Sequence, residues 1–148
     1  MKSIKLLLLL FFSCILFNQV KADNNSYAQS HYVFQYNAFP SDSLSSLMTN
    51  KYGFKRSKNT ALVNITIIDK DSDSLFKGIK AEVNGAMKNL LAQERKLKFK
   101  EIFEDNAYYY IAEVKVEHKD LVNMNIEVKP YNANQLFTFK FTKQFITK

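Results

Sequence analysis

Strict alternation of apolar and polar residues, repeated in seven stretches, is the feature that most constrains this chain. Tyr32, Phe34 and Tyr36 share one side, with Val33, Gln35 and Asn37 on the other. The same period of two runs through residues 61–67, 79–83, 97–99, 108–116, 122–128 and 137–142. A side chain that changes face at every residue marks a half-buried strand. The stretches are joined by asparagine and aspartate rather than by glycine and proline, of which the chain has 3 and 2. Residues 69–73, Asp105-Asn106 and residues 132–134 supply this turn chemistry, since short polar side chains bond their own backbone and tolerate left-handed conformations. Pro130 follows a strand, where no ladder donor is required.

One segment departs from the pattern. Ser41 is placed to cap a short helical turn near residues 42–50, in which Leu44, Leu47 and Met48 share a face and Gly53 ends the turn. Residues 87–97 carry helical spacing too, but alternation flanks them on both sides and favours strand–turn–strand. The expected fold is all-β: an immunoglobulin-like β-sandwich of about seven strands, with a small β-barrel as the alternative. The chain has no tryptophan, so an immunoglobulin likeness is one of architecture and not of signature.

Residues 1–22 are read as a secretory signal peptide. Lys2 and Lys5 precede an apolar run over residues 6–17, and Val20-Lys21-Ala22 is a small-residue exit, with cleavage expected after Ala22. Twelve residues are too few to span a bilayer, which takes about 20, so the mature protein is expected not to cross the membrane. Cys14 lies inside the apolar run, where a lipidated cysteine would end it. It is the one cysteine of the chain and is expected to leave with the signal, so no disulfide or thiol nucleophile is expected. What remains carries eighteen basic against fourteen acidic side chains, a net charge of +4. Residues 23–30 are polar and expected to be loose, and residues 31–147 are expected to form a single domain.

A set of strings gives a resemblance. His31-Tyr32-Val33, Tyr36-Asn37-Ala38-Phe39-Pro40, Lys55-Arg56-Ser57-Lys58 and Leu62-Val63-Asn64-Ile65 come first. Asn89-Leu90-Leu91-Ala92-Gln93, Ala107-Tyr108-Tyr109-Tyr110-Ile111-Ala112-Glu113 and Phe139-Lys140-Phe141 follow in order. Over about residues 29–147 the chain resembles the bacterial secreted family known as domain of unknown function 4426. The resemblance implies a periplasmic protein of a Gram-negative bacterium and implies no activity. It also implies Asn-Leu-Leu-Gly-Gln at residues 89–93, where this chain has Ala92; a positive φ there would strain alanine.

Convergent chemistry is sparse. His31 opens the first strand and His118 sits in a polar turn, and a two-histidine metal site would need the pair adjacent with a carboxylate. Residues 69–74 begin like a calcium loop, but Ser74 and Lys80 stand where glycine and glutamate are required, so an acidic hairpin tip is expected. No serine lies in a Gly-x-Ser-x-Gly string. The expectation is therefore no catalytic residue, no metal and no cofactor, with a hydrolase a distant third reading. Lys96, Lys98 and Lys100 form a basic comb, read as a solvent face or protected sheet edge; nucleic acid is not an expected partner of an exported protein.

If Tyr108 and Tyr110 face the core, Tyr109 and Ile111 face out of the sheet and must be covered by residues 44–48, by the N-terminal segment, or by a partner. Tyr109, Ile111, Asn37 and Phe39 are accordingly the candidate interaction surface. The leading expectation is a non-catalytic module that binds another envelope protein or assists its assembly. The alternative is a small-ligand or carbohydrate-binding module.

Overall fold

The computed structural model describes residues 25–73 and 77–147, so the expected signal peptide lies outside the described residues. These residues form nine strands: β1 (Ser26–Gln29), β2 (Tyr32–Pro40), β3 (Thr60–Asp69), β4 (Ala81–Asn89), β5 (Glu94–Leu97), β6 (Phe99–Glu104), β7 (Ala107–Lys115), β8 (Asp120–Pro130) and β9 (Phe137–Phe145). A 3₁₀ turn (Ser41–Ser43) and helix α1 (Ser46–Tyr52) lie between β2 and β3. The strands make two antiparallel sheets, in the orders β1-β2-β3-β7-β6 and β5-β4-β8-β9. This is a β-sandwich, not a closed barrel.

Alternation decides the core. Phe34, Val63, Ile65, Tyr110 and Ala112 from one sheet meet Met87, Met124, Ile126 and Phe139 from the other, all buried. The facing rows on β2 and β9 interlock through aromatic pairs, with Phe34 5.6 Å from Phe139 and Tyr36 stacked on Phe141 at 4.3 Å. Such pairs add to area burial when offset or tilted. Tyr110 is a polar member of this core. Its hydroxyl donates to Glu101 Oε2 at 3.2 Å and accepts from Ala81 N at 2.7 Å, tying the two sheets together. Burial pushes this phenol's pKa far up, so it stays a neutral donor.

The structure corrects the sequence reading in three places. Residues 26–29, expected to be loose, pair with β2, because Tyr27 stacks on Phe139 at 5.6 Å and anchors an otherwise polar strand. The stretch around Leu97 and Phe99 is two strands in different sheets: Leu97 ends β5, Phe99 begins β6, and the chain changes layer between them. Alternation continues through such a corner and so does not reveal it. Ser41 does not cap the helix. The cap is Ser45, whose side chain accepts from Met48 N at 3.3 Å, while Gly53 at φ +70° ends α1 as expected.

Residues 87–97 are strand–turn–strand. Asn89 closes the turn, accepting from Ala92 N with its carbonyl and from Gln93 N with its side chain, both at 3.0 Å. Ala92 sits at φ +61°, a region that glycine occupies without penalty. Ala92→Gly should therefore raise stability by about 0.5–1 kcal/mol, the relief of left-handed strain exceeding glycine's entropy in the unfolded chain. A melting temperature a few degrees higher checks this; one that falls would mean the turn tolerates alanine without strain.

Candidate functional site

The outer face of the five-stranded sheet carries what the sandwich core does not use. Phe39 on β2, Leu62 and Asn64 on β3, Ile102 on β6, and Tyr109 and Ile111 on β7 are side by side there, set by the register pairs Phe39–Leu62, Asn64–Ile111 and Ile102–Tyr109. Residues 41–58 cross this face as a strap. Phe54, Leu62 and Ile102 are buried together beneath it, with Leu44, Tyr52, Tyr109 and Ile111 partly buried around them.

The strap holds its shape through short-range chemistry. Ser41 is fully buried; its hydroxyl donates to Lys55 O at 2.7 Å and accepts from Ser57 N at 3.0 Å, closing the strap onto its own beginning. Phe54 N donates to Thr49 O at 2.9 Å across Gly53, which turns Phe54 down onto the sheet. The sheet grips back. Lys55 N donates to Glu113 Oε1 at 2.8 Å, Lys100 Nζ donates to Tyr52 O at 2.5 Å, and Glu104 accepts from both Lys51 and Tyr52. Lys100, one tooth of the basic comb, is thus a tether.

Strap and sheet do not fill the space between them. A pocket of about 320 Å³ remains, floored by Leu62, Ile102 and Ile111 and walled by Phe39, Tyr52 and Tyr109. Glu104 and Asp105 stand in its lining as the acidic members. Asn64 supplies the neutral polar group, and its buried Oδ1 has no hydrogen-bond partner among the described residues. An orphan acceptor in an apolar cleft is the arrangement that positions a donor on an apolar ligand. The rest of the lining is aromatic and aliphatic, a surface that suits holding a molecule.

The outward direction of Tyr109 and Ile111 is as alternation requires, and internal structure covers part of both. Phe39 joins them in the pocket. Asn37 does not: it lies opposite Asn64, in a shallower polar depression with Gln35 and Thr66. The contributions of Tyr52 and Phe54 were missed because the strap has no repeating period to read. The signal that could have found them is Gly53, a helix-ending glycine set between two aromatics. A wider depression of about 430 Å³ beside the β4–β5 turn mixes Asn89, Arg95, Lys115, Glu117 and Asp120, charges of both signs that water serves well.

A family profile described as Domain of unknown function (DUF4426) matches residues 27–148. Solved structures share the fold. A DUF4426 family protein from Pseudomonas aeruginosa PAO1 has a TM-score of 0.72 at 24% identity, covering 83% of this chain and 94% of that one. A copper-bound variant of FetP from uropathogenic Escherichia coli strain F11 has a TM-score of 0.61 at 8% identity, covering 83% of this chain and 95% of that one. FetP as isolated after recombinant expression in the Escherichia coli periplasm has a TM-score of 0.58 at 7% identity, covering 83% and 93%. At these identities the likeness is one of fold. No curated protein matches the chain by sequence. Among the described residues no helix is long and apolar enough to cross a membrane.

Proposed function

The chain belongs to the DUF4426 family, and from that premise we propose that it is an exported, non-catalytic binding module of the bacterial envelope whose strap pocket takes a small apolar ligand carrying a hydrogen-bond donor. One observation carries the reading: aromatic and aliphatic side chains surround Asn64, whose buried Oδ1 has no hydrogen-bond partner among the described residues, in the lining of a single concavity of about 320 Å³. That volume lies at the lower end of small-molecule sites. The basic start, apolar run and small-residue exit of residues 1–22 support export to the periplasm. A second reading, an envelope protein docking over the same face, is favoured by Leu47 and Met48, which α1 leaves 77% and 41% exposed.

The test compares two probes that differ in one group. 2-Naphthol and naphthalene should both bind, followed by fluorescence, with naphthol tighter by about 1 kcal/mol, roughly fivefold, for the added hydrogen bond. Asn64→Leu should erase that difference and keep the binding of naphthalene. If neither probe binds up to its solubility, or if both bind Asn64→Leu as they bind the native chain, the pocket is not a ligand site.

A further inference from the structure

We propose that His31, Asp69 and Asp71 form a site for one divalent transition-metal cation of the zinc class, held at the β3 end of the β2–β3 pair. In sequence the histidine and the acidic loop are almost forty residues apart. Pairing brings them together: Tyr32 lies opposite Asp69, and Lys70 N donates to His31 O at 2.9 Å. His31 Nε2 is then 3.8 Å from Asp69 Oδ1, and His31 Nδ1 is 3.9 Å from Asp71 Oδ2. One ligand atom from each of the three lies within 4.8 Å of the other two. Ligands arranged around zinc at about 2.1 Å sit roughly 3.4 Å apart, so the cluster must tighten by about an ångström. The Asp71 side chain is 78% exposed and that of His31 37%, which leaves both free to turn inward.

Asp69 supplies an independent reason. Its side chain is 8% exposed, yet no lysine or arginine pairs with it among the described residues. A buried carboxylate without a fixed counter-charge has its desolvation offset by hydrogen bonds alone, and a bound cation would add to them. Both donors on it are neutral: Asp71 N on Oδ1 at 3.0 Å and Asn132 Nδ2 on Oδ2 at 2.8 Å. Asn132 is fixed in turn by Tyr32 Oη, which donates to its Oδ1 at 3.0 Å. This relay orients the carboxylate from behind, as the outer partners of metal ligands do.

The donor set selects the cation. One imidazole nitrogen and two carboxylate oxygens, with open positions left for water, suit zinc and its neighbours. Calcium takes six to eight oxygens and no imidazole in its usual sites, so the histidine favours the zinc class. The competing arrangement is His31 lying between the two carboxylates with no metal.

Titration calorimetry of the untagged protein with zinc chloride decides between them. One equivalent should bind, with calcium chloride giving no heat. His31→Ala and Asp71→Asn should each weaken zinc by roughly tenfold or more, while His118→Ala should leave it unchanged. Asp71→Asn keeps the shape of an exposed side chain, so circular dichroism should show a native fold. The chain has two histidines, and zinc should move the imidazole resonances of His31 alone. Absence of binding at millimolar zinc, native affinity retained in either substituted protein, or a response at His118 in place of His31 would overturn the site.

Discussion

Gly78→Ala should destabilise the protein by about 4 kcal/mol or more, or prevent its accumulation altogether. The reason is where the chain passes from one sheet to the other. β3 pairs with β7 only as far as Ile65 opposite Tyr110. Beyond that point Gly78 and Ile79 fill the gap between the two strands. Gly78 bridges Ile68, Tyr108 N donates to Gly78 O at 2.9 Å, and Ile79 N donates to Ile67 O at 2.8 Å. The chain then leaves for β4, whose first amide is held by Tyr110. A methyl group on Gly78 would lie 2.1 Å from the Tyr108 carbonyl oxygen and 2.9 Å from Thr66 Cγ2. Backbone stands in its way, and backbone locked into a ladder has nowhere to move. Urea unfolding measures the loss; a midpoint close to that of the native chain would show that the crossing can open without breaking the sheet.

That crossing also shows where sequence reasoning reaches its limit. Residues 61–67 alternate, so their faces and even the outward direction of Asn64 were legible. The insertion of Gly78 beside Tyr108 was not, because period-2 patterning describes one strand and says nothing of its neighbour. The candidate pocket divides along the same line. Phe39, Tyr109 and Ile111 could be placed on the outer face by counting residues. Leu44, Tyr52 and Phe54 could not, since a strap built on Ser41, Ser45 and Gly53 is held by single hydrogen bonds and not by a repeat. Helical spacing pointed Leu47 and Met48 at the sheet. The helix begins at Ser46 and turns Thr49 inward instead, leaving Leu47 outside. His31 and the acidic loop were each read as surface features because the Tyr32–Asp69 register that joins them is a pairing fact.

Phe54→Ala should cost about 3 kcal/mol and empty the pocket of its function together with its wall. Truncating a buried phenylalanine costs about 3–5 kcal/mol, and the lower figure applies because the existing pocket already leaves one side of the ring unpacked. Phe54 is 8% exposed and shares its burial with Leu62 and Ile102. Lys100 Nζ lies 5.7 Å from its ring centre, so the loss includes a cation–π contact. The remaining strap anchors are the half-buried Leu44 and Tyr52 and three polar ties: Glu104 with Lys51 and Tyr52, Lys100 with the Tyr52 carbonyl, and Glu113 with the Lys55 amide. Polar contacts at a surface contribute little against water, so the strap should lift while the sandwich beneath it persists. The expected signature is a lowered melting temperature, new proteolytic cleavage confined to residues 41–58, and loss of both naphthalene and naphthol binding. Leu47→Ser, on the solvent side of the same helix, should change stability by no more than about 0.5 kcal/mol. If Phe54→Ala melts with the native protein and still binds both probes, the apolar seam under the strap is not what holds it down, and the pocket would have to be formed by the sheet alone.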